Sequence, residues 1–285
     1  MPKFKIPDHQ VAGHQAKAGI LGPLIDDSGK FYKPLQDDGR GSHELAFYTS
    51  LYSDPRIPSN ILNLFPNFHG TQVVEASDGS GLHPHLVMED IAGNFTNPAV
   101  VDFKIGSRTW HPQSSEDYIS KCLKKDRESS SIKLGFRISG LRSVSPSNQL
   151  WQPQRKFLMD LSAEDVILMM RKFVSSDGNA DEPDCVFGSR VYVHVLEELL
   201  VLKKWFEVQT IFHFYSCSVL VVYEKDEKDE KKSARAVVKL VDFAHVVDAK
   251  GAIDHNFLGG LCSLIKFVKD VLAGLGDDEI SNPKP

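Results

Sequence analysis

The sequence predicts an α+β protein folded as two lobes. Three observations carry that expectation. Residues Pro98 to Gly106 alternate apolar and polar side chains as a β-strand does, and further apolar strand candidates stand before and after them. Two long segments, Ser189 to Thr210 and Phe257 to Leu272, have the amphipathic spacing of helices. The run Glu89-Asp-Ile-Ala-Gly93 ends an apolar stretch and leads by a short link to Pro98, which places the lobe boundary there, with residues 1–91 in one lobe and 92–285 in the other.

Taken in order, Leu24-Ile25 and Phe31-Tyr-Lys33 flank the turn Asp26-Asp-Ser-Gly29, a β-hairpin with Lys33 on its second strand. Ser42 to Tyr52 places Leu45, Tyr48 and Tyr52 at helical spacing, with Ser42 as N-cap and Glu44 in the first turn. A strand lysine followed closely by a helical glutamate is how protein kinases hold nucleotide phosphates. A surface ion pair is the plainer alternative. Phe68 to Glu75 and Leu86 to Glu89 read as short strands joined by a polar loop, Ala76 to Pro84. His83-Pro-His85 has no acidic or thiol neighbours in sequence and reads as loop rather than as a metal site.

In the strand from Pro98, one face carries Val101, Phe103 and Ile105 and the other Val100, Asp102 and Lys104. Asp102 and Lys104 then stand about 7 Å apart along the strand. They form either an internal ion pair on an exposed face or a carboxylate and an ammonium positioned for group transfer. Ser114 to Glu128 reads as a helix with Ser114 and Asp117 as its capping pair and Tyr118, Ile119, Cys122 and Leu123 as its apolar side. Lys121, Lys124 and Lys125 fall within one turn. Balanced by Asp117 and Asp126 they are a solvated face; beside Lys104 and Arg108 they would be an anion-binding wall.

Ser129 to Ser131 ends that helix, Gly135 to Gly140 suggests a short strand, and Val144 to Pro153 is irregular. A helix from Ala163 to Val174 is capped by Ser162 and Asp165, and Ser175 to Pro183 is a loop. The helix from Ser189 uses Val195, Leu199, Leu202 and Phe206 as core contacts. Val219 to Tyr223 and Ala236 to Val241 are strands, separated by the mixed-charge segment Glu224 to Lys232, an exposed hairpin loop. The second of these strands delivers Asp242 to its exit, a sensible way to hold Mg²⁺, which favours hard oxygen ligands.

Composition sets the bounds. The 285 residues are 41% hydrophobic and 25% charged, ordinary globular values that suffice for a large core. A net charge of −5 gives no reason to expect direct nucleic-acid binding, while leaving room for a local basic pocket. Cys122, Cys185, Cys217 and Cys262 are scattered without a C-x-x-C pair, which fits reduced thiols rather than disulfides or zinc. No signal-peptide core and no membrane-length apolar run is present, so a soluble chain is expected. The absence of H-R-D, G-x-G-x-x-G and Walker A motifs disfavours an ordinary protein kinase or P-loop enzyme.

Pro98, Asp102, Lys104 and Gly106 match the P-x-x-x-D-x-K-x-G signature of the inositol polyphosphate kinases, and Val241-Asp-Phe-Ala-His245 and Ser216-Cys-Ser-Val-Leu220 match two further landmarks. The whole chain resembles the multikinase group of that family, and Asp8-His-Gln-Val-Ala-Gly-His14 resembles its plant branch. The family's Ser-Ser-Leu-Leu stands here as Cys217-Ser-Val-Leu220. The resemblance implies a two-lobed inositol polyphosphate kinase fold, related to a reduced protein-kinase-like ATP-binding core, with a helical inositol-phosphate-binding segment at about residues 112–160.

The resemblance also implies roles. Lys33 would touch ATP phosphates with Glu44 as its helix partner, Glu89 and Ile91 would surround the adenine, and Asp102 would meet the ribose. Lys104 would lie between substrate and γ-phosphate, and Asp242, with Ser218, would hold the metal. Gln36, Arg40, Arg108, Lys121, Lys124 and His245 would form the substrate pocket. The implied cofactors are ATP and Mg²⁺. The implied activity is a phosphotransferase that converts inositol 1,4,5-trisphosphate by successive 6- and 3-phosphorylation to the pentakisphosphate. The rivals are a trisphosphate 3-kinase, whose calmodulin-binding extension the short N-terminus has no room for, and a scaffold that acts with nuclear regulatory proteins. A monomer distributed between nucleus and cytoplasm is the remaining expectation.

Overall fold

In the computed structural model, residues 3–13, 16, 19–36, 38–144, 149–175, 185–224 and 235–281 are described. The expected loops at 175–183 and 224–232 lie, beyond their first residues, outside the described residues, as do His14 and residues 145–148 of the irregular stretch.

The first hairpin forms as expected. Strands β1 (Leu24–Ile25) and β2 (Lys30–Pro34) pair antiparallel, Leu24 opposite Tyr32. Asp26 closes the turn by accepting from the Ser28 amide at 2.9 Å and the Tyr32 hydroxyl at 2.9 Å. Helix α1 (Arg40–Ser53) starts earlier than Ser42. Gly39 is its N-cap, at φ 82°, a left-handed conformation that costs glycine little, and the Ser42 hydroxyl folds back on the Gly39 carbonyl. Glu44 therefore sits in the second turn, and is buried.

After a short helix, α2 (Ser59–Leu62), strands β3 (Phe68–Glu75) and β4 (Leu82–Glu89) complete a four-stranded sheet in the order β1-β2-β4-β3. His83-Pro84-His85 is thus strand, not loop. Pro84 is tolerated because its carbonyl still accepts from the Leu35 amide, and the Leu35 carbonyl, which an amide at 84 would have served, lies 3.0 Å from the His83 Nε2 instead.

The larger sheet has the order β10-β9-β5-β6-β7. Its centre is β5 (Ala99–Ile105), buried along its whole length. Strand β6 (Phe136–Val144) pairs with it on one side, and β7 (Leu150–Trp151) extends the sheet beyond β6. On the other side lie β9 (Ser218–Glu224) and β10 (Arg235–Val241). An exposed ion pair on β5 is ruled out: Asp102 and Lys104 are 4% and 8% exposed.

Between β5 and β6 run α3 (Glu116–Arg127), capped by Ser115 rather than Ser114, and α4 (Ser130–Leu134), which Ser129 caps where a helix end was expected. Asp126 does not balance a solvated face. It is buried against Arg137 at 3.3 Å and accepts from the Thr109 amide and hydroxyl, which pins α3 to the sheet. Helices α5 (Arg155–Met159), α6 (Ala163–Phe173) and α7 (Cys185–Phe206) follow, α6 with the expected Ser162/Asp165 capping box. A small two-stranded sheet joins β8 (Phe212–Phe214) and β11 (Val246–Asp248). Helix α8 (His255–Ser281) outruns its expected end at Leu272, and Leu275 is still fully buried.

One apolar cluster joins the two sheets, with Phe47, Tyr48, Phe65 and Met88 packed in the same core as Phe103, Phe214 and Phe243. Phe243 is fully buried, with ring centroids 4.5 Å from Phe47 and 5.3 Å from Phe65. Burying such a ring contributes about 1.5–3 kcal/mol, and here it anchors the residue next to Asp242.

Candidate active site

Asp242 leaves β10 with φ 69°, a backbone conformation unusual for a residue other than glycine. Ser216, before β9, has φ 58°. Such outliers persist where surrounding structure over-determines them, and they cluster at functional sites. Both meet Lys104, and Asp242 meets Lys33 as well. Lys33, from β2, donates to Asp242 Oδ1 at 2.8 Å and to Glu44 Oε1 at 2.9 Å. Glu44 is fixed in turn by the Phe243 amide at 3.2 Å. Lys104, from β5, donates to the Ser216 carbonyl at 2.6 Å and lies 4.0 Å from Asp242 Oδ2.

Charge follows from that geometry. Burial would raise the Asp242 carboxyl, but the Lys33 and Lys104 ammonium groups outweigh it and hold the group well below the usual carboxylate range. Burial also opposes charge on Lys33, yet Asp242 and Glu44 together push its ammonium above the usual lysine range. Asp102 moves the other way: burial raises it, Lys104 offsets only part of that, and the Asp242 charge adds to it.

These residues line one cavity of about 590 Å³ between the two sheets. At one end, Val11, Ile91, Ala92, Val100, Leu220 and Val222 make an apolar slot beside Glu89. Glu89 accepts from Lys239 at 3.2 Å and from the Asn67 amide at 3.1 Å. At the other end, Gln36, Arg40, Lys125, Arg155, Tyr118 and His245 make a polar, largely cationic wall. His245 Nε2 is 2.8 Å from the Tyr118 hydroxyl. Burial, with His111, Arg40 and Lys104 nearby, pushes its imidazole down to about 4, so it is neutral at pH 7.

Ten residues singled out from sequence meet in this cavity: Lys33, Gln36, Arg40, Glu44, Glu89, Ile91, Asp102, Lys104, Asp242 and His245. Arg108, Lys121, Lys124 and Ser218 do not line it, Ser218 being fully buried behind it. Arg108 is sandwiched between Trp110 and Tyr215, 5.1 and 5.2 Å from their ring centroids. Lys121 and Lys124 are exposed, and Lys124 lies 3.9 Å from Glu128. The lysine of that triplet on the cavity wall is Lys125. Burial, with Arg137, Arg155 and Lys104 nearby, pushes it down to about 8. The signal was present: Tyr118, Cys122 and Lys125 are spaced i, i+4 and i+7, one helical face. Arg155 had no comparable signature, and the segment Asp8 to His14, matched to the plant branch, carried no sign that Val11 would line the cavity.

The donor set fits a divalent cation. Asp242 offers an ionised carboxylate 42% open to the cavity. Asp102 and Ser218 are buried oxygen donors side by side, the Ser218 hydroxyl near enough to the Asp102 carboxyl to lower it, and neither Asp102 Oδ1 nor Ser218 Oγ is closed off in a well-formed hydrogen bond among the described residues. Ser218 stands opposite Lys104 on one side and Val241, the neighbour of Asp242, on the other. No group of three His, Cys, Asp or Glu side chains forms a complete metal cage among the described residues. Mg²⁺ is commonly held this way, by one or two carboxylates plus phosphate oxygens and water.

Comparison with known proteins agrees with that geometry. Residues 85–269 match the family model for inositol polyphosphate kinase. Inositol polyphosphate multikinase beta of Arabidopsis thaliana is 52% identical over 281 residues, covering 94% of each chain. The alpha enzyme of that plant is 50% identical, and the rice multikinase 47%. A solved inositol phosphate multikinase superposes with a TM-score of 0.70 at 45% identity, covering 80% of this chain and 99% of that one. The Saccharomyces cerevisiae multikinase Ipk2, solved with ADP and Mn²⁺, shares the fold at a TM-score of 0.66 and 19% identity, covering 85% and 99% of the two chains.

Proposed function

The chain belongs to the inositol polyphosphate kinase family, and from that premise we propose that it transfers the γ-phosphoryl group of ATP to hydroxyls of inositol phosphates. Its first substrate is inositol 1,4,5-trisphosphate, phosphorylated successively at the 6- and 3-positions to the pentakisphosphate. The observation that carries this reading is the convergence of Lys33 and Lys104 on Asp242, where an apolar slot meets a cationic wall.

In this reading the adenine enters the apolar slot beside Glu89 and Ile91, the junction between lobes of residues 1–91 and 92–285. Asp102 orients the ribose. Lys33, held by Glu44, receives the phosphates. A bound Mg²⁺ would be held by Asp242 with Ser218, and would neutralise phosphate charge. Lys104 reaches between donor and acceptor, where charge develops in the transition state. Gln36, Arg40, His245, Lys125 and Arg155 hold the inositol phosphate. His245, being neutral, supplies a hydrogen bond rather than a charge. Phosphoryl transfer asks chiefly for alignment and charge stabilisation, and this cavity offers both.

The test is incubation with Mg-ATP and a panel of inositol phosphates, with products separated by anion exchange. Stepwise formation of tetrakis- and pentakisphosphates is expected. A single tetrakisphosphate would restrict the enzyme to a 3-kinase, and no transfer to any inositol phosphate would overturn the proposal.

A further inference from the structure

We propose that Gly140 is a positioning residue for the nucleotide: having no side chain, it seats an N-terminal strap, residues 8–13, as the wall that completes the apolar end of the cavity. This rests on the reading of that end as the ATP slot.

The strap has no helix or strand of its own. Its position depends on a few contacts, drawn from both sides of the cavity. The Asp8 carbonyl accepts from Arg142 on β6. His9 Nε2 lies 3.2 Å from Asp90, just beyond the end of β4. The Gly13 carbonyl accepts from Arg155 at 3.5 Å. Val11, in the middle, is buried with Ala92, Val100 and Val222 as a small apolar cluster separate from the main core. His9, Val11 and Ala12 face the cavity.

Gly140 is where the strap comes closest to the sheet. A β-carbon built there would sit 2.5 Å from the Val11 carbonyl carbon and 3.0 Å from its Cβ, and closer still to the carbonyl oxygen. The two nearest are main-chain atoms and the third is a β-carbon whose place that main chain fixes, so a methyl group cannot be accommodated by turning a side chain aside. Gly140 does not have the left-handed φ that would itself penalise an alanine. An alanine at 140 therefore acts through the strap. It also stands opposite Asp102, where the β5–β6 register shifts by one residue and the sheet locally departs from its regular pairing. The same position thus meets the strap on one side and pairs with a cavity residue on the other.

Gly140→Ala, Val11→Ala and the double variant of the full chain test this. The readouts are Mg-ADP binding by titration calorimetry without inositol phosphate, the KM for each substrate, and the melting temperature. Each single variant should weaken Mg-ADP binding about tenfold, the scale of a lost apolar wall contact, with a matching rise in KM for ATP. The KM for inositol phosphate should change less. Once Gly140→Ala has displaced the strap, Val11→Ala should add little, so the two effects should be non-additive.

Val11→Ala only trims a side chain, so it remains informative if Gly140→Ala does not fold. A lower melting temperature with unchanged Mg-ADP affinity would overturn the proposal, as would full additivity. Wild-type protein that is an active kinase, with variants binding Mg-ADP normally, would sink this inference alone. Strap-dependent nucleotide binding by a protein that phosphorylates no inositol phosphate would sink the kinase reading and leave this one standing.

Discussion

Lys33 Nζ lies 2.8 Å from Asp242 Oδ1, although 209 residues separate them in the chain. The contact spans the two sheets, and its partners are fixed from both ends. Glu44 holds Lys33 and also accepts from the Phe243 amide, while the Phe243 ring is sunk in the shared aromatic core. The charged centre is therefore positioned by buried apolar packing one residue away.

Asp242→Asn should abolish most activity while leaving the fold intact. Asparagine tolerates the left-handed backbone at φ 69° about as well as aspartate does, so the substitution removes charge and little else. A fall in kcat of about 10²-fold or more is expected, on the scale of losing a preorganised transition-state contact. Steady-state rates across a Mg²⁺ titration check this; near-normal turnover at low Mg²⁺ would take Asp242 out of the site.

Lys104→Ala should lower kcat more than it raises the KM for ATP. Its ammonium is already held by the Ser216 carbonyl and pointed toward Asp242, so it is placed for charge that develops between donor and acceptor. An effect confined to the KM for ATP would contradict that role.

Lys125→Ala should raise the KM for inositol phosphates, increasingly with substrate phosphate number and less at high salt, because screening acts over about 8–10 Å. The double variant Lys121→Ala, Lys124→Ala should change it little, since both lysines are exposed and outside the cavity wall. Equal effects from the two variants would overturn the assignment.

The pH dependence has a definite sign. Lys125, pushed down to about 8, binds an anion best when protonated, so the wild-type KM for inositol phosphate should rise as pH passes about 8. In Lys125→Ala that rise should vanish. For the free protein the depressed lysine works the other way. Between about 8 and its ordinary value of 10.5, the unfolded chain keeps a proton that the folded chain has released, so this group makes stability increase with pH there. Urea unfolding of both proteins at pH 7 and pH 9.5 measures the difference.

Asp126→Ala should destabilise the protein by about 3–5 kcal/mol, the usual cost of leaving one member of a buried ion pair unpaired. Asp126 and Arg137 have side chains only 1% and 3% exposed, and Thr109 loses both of its bonds to the carboxylate. Denaturant titration reads the loss. A change under about 0.5 kcal/mol would match a surface position instead.

The sequence alone was enough for what depends on local pattern. Period-two alternation located β5 and its Asp102 and Lys104, the Asp/Gly turn located the first hairpin, and Ser162 with Asp165 located the start of α6. Family landmarks added residues that the structure brings to one cavity. Where the information is three-dimensional, pattern was not enough. Whether Asp102 and Lys104 face water depends on β6, β9 and the cavity cover, all distant in sequence. Which of three adjacent lysines enters the site depends on the rotation of α3, set by the buried Asp126–Arg137 pair and by a cap at Ser115 instead of Ser114. The wall built from Val11 depends on how closely two main chains approach at Gly140, a distance that no local propensity encodes. Alternation and capping are decided by neighbours along the chain, but burial and charge are decided by neighbours in space.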